Sequence, residues 1–172
     1  MNKITRRDLL GGSAGAAATV LGLPLASLAV DEQAGKAPLK VVVVGGHPDD
    51  PESGCGGAMA RLADLGHDVV AMYLTRGEAG IRGKAADAAA EIRTVEAQEA
   101  CKILKARAIF AGQIDGGTEI NATRYDAFAK LLLGEKPDLV FTQWPVDTHR
   151  DHRAASLLAF DAWLRAGKKF AL

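Results

Sequence analysis

Side chains able to do metal and acid–base chemistry are concentrated in two short stretches. One is Gly46-His47-Pro48-Asp49-Asp50-Pro51-Glu52, and the other, far downstream, is Trp144-Pro145-Val146-Asp147-Thr148-His149-Arg150-Asp151-His152. A zinc ion acting in catalysis takes three protein ligands with nitrogen or oxygen donors and keeps a further position for water. His47, Asp50 and His152 supply such a set. Hydrolysis of an amide also needs a base for the water and a donor toward the developing oxyanion or the leaving amine, and Asp49 and His149 are the candidates. Adjacent Asp49 and Asp50 cannot point the same way along an extended loop, so one can face a metal while the other faces water. Pro48 stiffens that loop.

These stretches do chemistry together only if the fold brings them together. Short β-branched runs alternate with longer segments of helical period, the pattern of a parallel α/β sheet. Lys40 to Gly45 (KVVVVG) is uniformly apolar and reads as a central strand covered on both faces. Further strands are expected at Asp68 to Leu74, Ala108 to Ala111 and Leu139 to Gln143. Helices are expected at about Cys55 to Leu65, Ala86 to Leu104, a segment capped by Asn121 or Thr123 that ends at Gly134, and from near His152 to Leu164. After that the sequence closes with Lys168-Lys169-Phe170-Ala171-Leu172 and no further strand is expected. In an open parallel sheet of order 3-2-1-4, the crevice at the carboxyl ends falls between strands 1 and 4, where the two stretches would meet.

The combination of His47-Pro48-Asp49-Asp50, Gly54-Cys55-Gly56-Gly57, Thr75-Arg76-Gly77-Glu78 and His149-Arg150-Asp151-His152 resembles the PIG-L/LmbE-like N-acetylglucosaminyl deacetylases, from about Leu39 to the C-terminus. The resemblance implies a Rossmann-like three-layer α/β sandwich with a mostly parallel sheet. It also implies zinc held by His47, Asp50 and His152, with Asp49 as general base. His149 would stabilise the oxyanion or protonate the amine, and Asp151 would orient an imidazole from behind. The substrate would be a small molecule or glycan carrying an N-acyl group. Two departures stand out. Pro51 occupies the place after the paired aspartates where many members carry Glu, and members usually continue past the last helix, so a C-terminal part of the domain is expected to be missing.

The remaining features bound this reading. At 172 residues and 48 % hydrophobic composition, the chain has room for one domain with a core. Lys plus Arg equals Asp plus Glu at 21 each, which leaves no electrostatic footprint for nucleic acid or an anionic membrane. Cys55 and Cys101 read as partly buried thiols. Arg76 and Glu78, in the loop after the second strand, are candidates for contact with substrate hydroxyls, and a surface ion pair explains them nearly as well. Arg93 and Glu96 read as a surface pair at helical spacing, and His67 as a turn residue without chemistry. The Gly54 to Gly57 run is not a dinucleotide fingerprint and suits close packing of a helix against the first loop. The rival reading is a sugar- or nucleotide-binding module of the same fold without catalysis.

Residues 1–29 read as a twin-arginine signal: Thr5-Arg6-Arg7-Asp8-Leu9-Leu10, then a small and mildly apolar run, then Ser27-Leu28-Ala29 as the cleavage end. A linker to Pro38 follows, and residues 39–172 form the domain. Export to the periplasm or exterior is expected, with membrane contact only through the signal. N-terminal sequencing of the exported protein should find a start near Val30; an intact Met1 on a membrane pellet would overturn this expectation.

Overall fold

The computed structural model describes residues 37–172, so the expected signal and most of the linker lie outside the described residues. Strands β1 (Lys40–Gly45), β2 (Asp68–Thr75), β3 (Arg107–Gln113) and β4 (Leu139–Phe141) form one sheet of order β3-β2-β1-β4. Every pairing is parallel, with Val41 opposite Val69 and Leu139, and Tyr73 opposite Phe110. Helices α1 (Asp50–Asp64), α2 (Ala86–Ile103), α3 (Ala122–Gly134) and α4 (Arg150–Arg165) connect or follow the strands.

Strand period 2 divides the apolar side chains between two faces. Val42, Val44, Val70, Met72 and Leu74 pack with Phe128 and Leu132 of α3 and with Ala155, Leu158 and Ala162 of α4. Val41, Val43, Val69, Ala71 and Tyr73 pack with Met59 of α1 and with Ala97 and Cys101 of α2. Each fully buried large apolar side chain contributes about 1.5–3 kcal/mol, so the two covered faces stabilise the three-layer α/β arrangement together. Among the described residues no helix is long and apolar enough to cross a membrane.

Several element ends differ from the expected ones, for local reasons. Helix α1 starts at Asp50, because Pro51 sits in its first turn, where a missing N–H costs nothing. Helix α4 starts at Arg150, because the His149 side chain caps it by accepting from Asp151 N. Gly134 is the last helical residue rather than the cap; Glu135 follows it and Lys136 takes the positive φ of 53°. β3 is longer than expected, β4 is shorter, and Ala171 forms a parallel bridge to Leu139 on the outer side of β4. Beside that edge, Trp144, Leu157, Phe160, Trp163 and Leu172 line an apolar groove of about 600 Å³.

Glycine demand lies in a different place from the expected one. A Cβ at Gly54, Gly56 or Gly57 would meet nothing within 4 Å, so those residues face open space instead of a packed surface. A Cβ at Gly45 would lie 2.6 Å from Pro51 Cδ and 2.7 Å from Asp50 Cβ, and one at Gly46 would lie 3.0 Å from His152 Cδ2. The end of β1 thus runs directly against the start of α1. Replacing Gly45 by Ala should destabilise the fold by roughly 1–3 kcal/mol through overpacking, whereas Gly57→Ala should stabilise it by roughly 0.5–1 kcal/mol through helix propensity. Urea unfolding of both variants checks the opposite signs; equal effects would contradict this placement.

Candidate active site

At the carboxyl ends of the strands, the loop after β1 faces the loop joining β4 to α4. Three imidazoles gather there, with ring centroids 4.7 Å apart for His47 and His149, 4.8 Å for His149 and His152, and 5.3 Å for His47 and His152. Asp50 links two of them: its Oδ2 is 3.2 Å from His47 Nδ1 and its Oδ1 is 3.2 Å from His152 Nε2. The same Oδ2 accepts from His47 N at 2.7 Å, which closes the turn between the two residues.

Asp49 points the other way. Its φ of 100° is left-handed backbone that only a few non-glycine residues tolerate, at a cost on the order of 1–3 kcal/mol. The turn is secured from both sides: Ser53 N donates to Asp49 O at 2.8 Å, and Arg93 Nη2 donates to Pro48 O and to Asp49 Oδ2, the latter at 2.8 Å. Arg93 therefore does not pair with Glu96 on the surface; it reaches over to the first loop.

Asp151 has no exposure to solvent. Burial alone would raise its pKa, but donation from Thr118 Oγ1 (2.5 Å) and Gly116 N (2.7 Å), with His47 Nε2 at 3.1 Å, holds it below the ordinary carboxylate range. Asp115 Oδ1 is also 3.1 Å from His47 Nε2. For His47, burial pulls the pKa down, yet hydrogen bonds to Asp50 and Asp151 and the charge of Asp115 raise it to about 9. A similar balance keeps Asp50 below its usual value, burial opposing and the contacts with His47 and His152 prevailing.

The donor chemistry fits a divalent cation. Ligand atoms of His47, His149 and His152 lie within 4.8 Å of one another, and so do those of His47, Asp115 and Asp151. Imidazole nitrogen and carboxylate oxygen suit zinc and several of its neighbours. The carboxylates around His47 require a positive charge, which a proton on His47 supplies in the metal-free protein and a metal ion would supply in its place.

A polar recess of about 320 Å³ opens beside the histidines, lined by His47, Asp49, Gly77, Ala79, Gly80, Arg93, Asp115 and His149. The apolar groove by β4 is larger, but no titratable side chain lines it, whereas the polar recess is lined by His47, Asp49, Arg93, Asp115 and His149. Arg76 and Glu78 do not line it. Arg76 Nε donates to Thr94 Oγ1 at 3.0 Å, Glu78 Oε2 accepts from Asp115 N at 3.1 Å, and the two form no ion pair with each other. Arg93, Asp115, Thr118 and Asp147 are members of the cluster that sequence reasoning missed. Only Asp147, inside the second motif, carried a signal that could have found it.

An α/β domain of this order with a histidine–aspartate cluster at its switch point defines a class of protein, and sequence comparison defines it further. The PIG-L family, described as GlcNAc-PI de-N-acetylase, matches residues 42–163, and the chain belongs to that family. It is 33 % identical over 135 residues to a diacetylchitobiose deacetylase of Thermococcus kodakarensis, covering 74 % of this chain and 50 % of that protein. The chain thus spans about half the length of that relative. Among solved structures, the conserved protein TT1542 of Thermus thermophilus superposes with a TM-score of 0.67 at 38 % identity, over 75 % of this chain and 57 % of that one. GalB, the 4-carboxy-2-hydroxymuconate hydratase of Pseudomonas putida, gives 0.68 at 25 % identity, over 73 % and 56 %.

A metal ion held by His47 would need that imidazole neutral, whereas its surroundings raise its pKa to about 9. Zinc uptake near neutral pH should therefore release close to one proton from His47, and apparent affinity should rise about tenfold per pH unit between about pH 6 and 8. Calorimetric zinc titration in two buffers of different ionisation enthalpy checks this; an identical heat in both would refute it.

Proposed function

We propose that this chain carries the catalytic half of an exported, zinc-dependent N-deacetylase that removes an acetyl or related acyl group from an N-acylated amino sugar. The observation that carries the reading is the contact of Asp50 with both His47 and His152, beside a polar recess lined by His47, Asp49 and His149, in a chain of the PIG-L family. The deacetylase relative from Thermococcus kodakarensis supports the same reaction.

His47, Asp50 and His152 would hold the ion, since Asp50 already touches both imidazoles. Bound zinc supplies a Lewis acid that makes water nucleophilic near neutral pH. Asp49 acts as general base: Arg93 fixes one carboxylate oxygen, and the other makes no hydrogen bond among the described residues and is left to accept a proton from water. His149 is held as a donor. Its Nδ1 accepts from Asp151 N at 3.3 Å, so the neutral ring carries its proton on Nε2, the nitrogen that remains to hydrogen-bond an oxyanion. That tautomer also argues against His149 as a third imidazole ligand. Asp151, clamped by Gly116 and Thr118, orients His47.

The lining of the recess suits a hydroxyl-rich ring. Arg93 and Asp115 offer a donor and an acceptor beside Asp49, and Gly77 and Gly80 leave room. Glu78 acts from behind by holding the backbone of Asp115. The signal-type N-terminus favours a substrate among envelope or external glycans.

Purified residues 30–172 should hold near-stoichiometric metal by plasma mass spectrometry, and the His47→Ala/His152→Ala double variant should hold none. With N-acetylglucosamine or diacetylchitobiose, Asp49→Asn should lower kcat by about 10²–10⁴ with little change in KM. Folded wild-type protein that holds no metal, or tight sugar binding untouched by Asp49→Asn and without amine release, would favour the binding-module reading.

A further inference from the structure

We propose that Asp147 is a positioning residue that fixes the ring orientation and tautomer of His152, so that Nε2 of His152 is presented to the metal. The inference rests on the hydrolase reading above, because it concerns how one of the three metal-holding side chains is prepared.

Asp147 divides its two oxygens between two histidines. Oδ1 accepts from His149 N at 2.7 Å, forming a turn in which a short side chain takes the place of backbone. Oδ2 lies 3.3 Å from His152 Nδ1. That nitrogen is buried and lacks a well-aligned hydrogen-bond partner, and the Asp147 carboxylate is the only acidic group within ion-pair distance of it among the described residues. On the opposite side of the ring, His152 Nε2 faces Asp50 Oδ1 at 3.2 Å. The imidazole is therefore held between two carboxylates, one at the metal side and one behind.

Coordination through Nε2 obliges the neutral ring to carry its proton on Nδ1. A buried N–H without an acceptor costs about 1–3 kcal/mol, and a carboxylate behind a ligating imidazole sets its tautomer and raises its basicity. Asp147 is the group placed to do this. Its backbone is secured as well, since Arg153 Nη1 donates to Asp147 O at 2.7 Å and to Thr148 O at 2.9 Å. Arg153 is one helical turn beyond the cap, so the turn that carries Asp147 is referenced to α4, the helix that carries His152. The hydrogen bond from His149 N, together with the contact with His152, keeps Asp147 ionised below the usual carboxylate range.

The test uses Asp147→Ala and Asp147→Asn in the whole domain. The amide can still accept from His149 N or His152 Nδ1–H, but without charge. Zinc dissociation constants from chelator competition should weaken by about 10–100-fold in Asp147→Ala and by less in Asp147→Asn. The visible spectrum of the cobalt-loaded protein should shift in both, while the metal-free melting temperature of Asp147→Asn, which keeps an acceptor for His149 N, stays at the wild-type value. Wild-type zinc affinity and an unchanged cobalt spectrum in both variants would overturn the proposal. So would an affinity loss accompanied in both variants by a matching fall in metal-free melting temperature, which would make Asp147 merely structural. A wild-type protein that binds neither metal would instead bring down the hydrolase reading itself, so the two failures are told apart.

Discussion

Asp151 is a carboxylate with no access to water, and the site is arranged around satisfying it. Leaving such a group unpaired would cost several kcal/mol. Its partners come from separate parts of the chain: Gly116 and Thr118 from the segment after β3, and His47 from the loop after β1. Because Asp151 belongs to the first turn of α4, its hydrogen bonds fasten both of those segments to one helix end. The recess between them keeps its outline for that reason, and the raised pKa of His47 is the electrostatic counterpart of the same clustering of acids.

A second constraint is the tight junction of β1 with α1. Gly45 and Gly46 leave no room for side chains against Asp50, Pro51 and His152. The chain therefore turns sharply at Asp49, in left-handed backbone, and sends two consecutive carboxylates to opposite sides. Arg93 reaches from α2 to hold both the carbonyl and the carboxylate of that turn. Strain in the loop is thus offset by contacts from a helix that contributes nothing else to the cluster.

Much of this arrangement was legible in the sequence. The apolar run Lys40 to Gly45 announced a central parallel strand, and with the common 3-2-1-4 order assumed for such a sheet, the meeting of His47 and Asp50 with His149 and His152 could be foreseen. The rest depended on tertiary geometry. Arg93 stands at helical spacing from Glu96, and nothing local distinguishes it from a surface pair. Asp115 lies in a short turn after β3 with no motif around it. The glycines of α1 suggested packing because their type is visible and their surroundings are not, and the cap by His149 was hidden by the expectation that a histidine there does only chemistry.

That cap gives position 149 two jobs in one ring. The Nδ1 edge completes the first turn of α4, while the same ring lines the recess. A proton arriving on Nδ1 would turn an acceptor into a donor facing another donor, so the charge state of this imidazole is mechanically coupled to how firmly the helix begins. Deleting the side chain would remove the helix cap together with the donor proposed for it, and a loss of activity would then mix two causes. Asparagine, a good capping residue, would separate them: it restores the helix start and leaves only the chemistry missing.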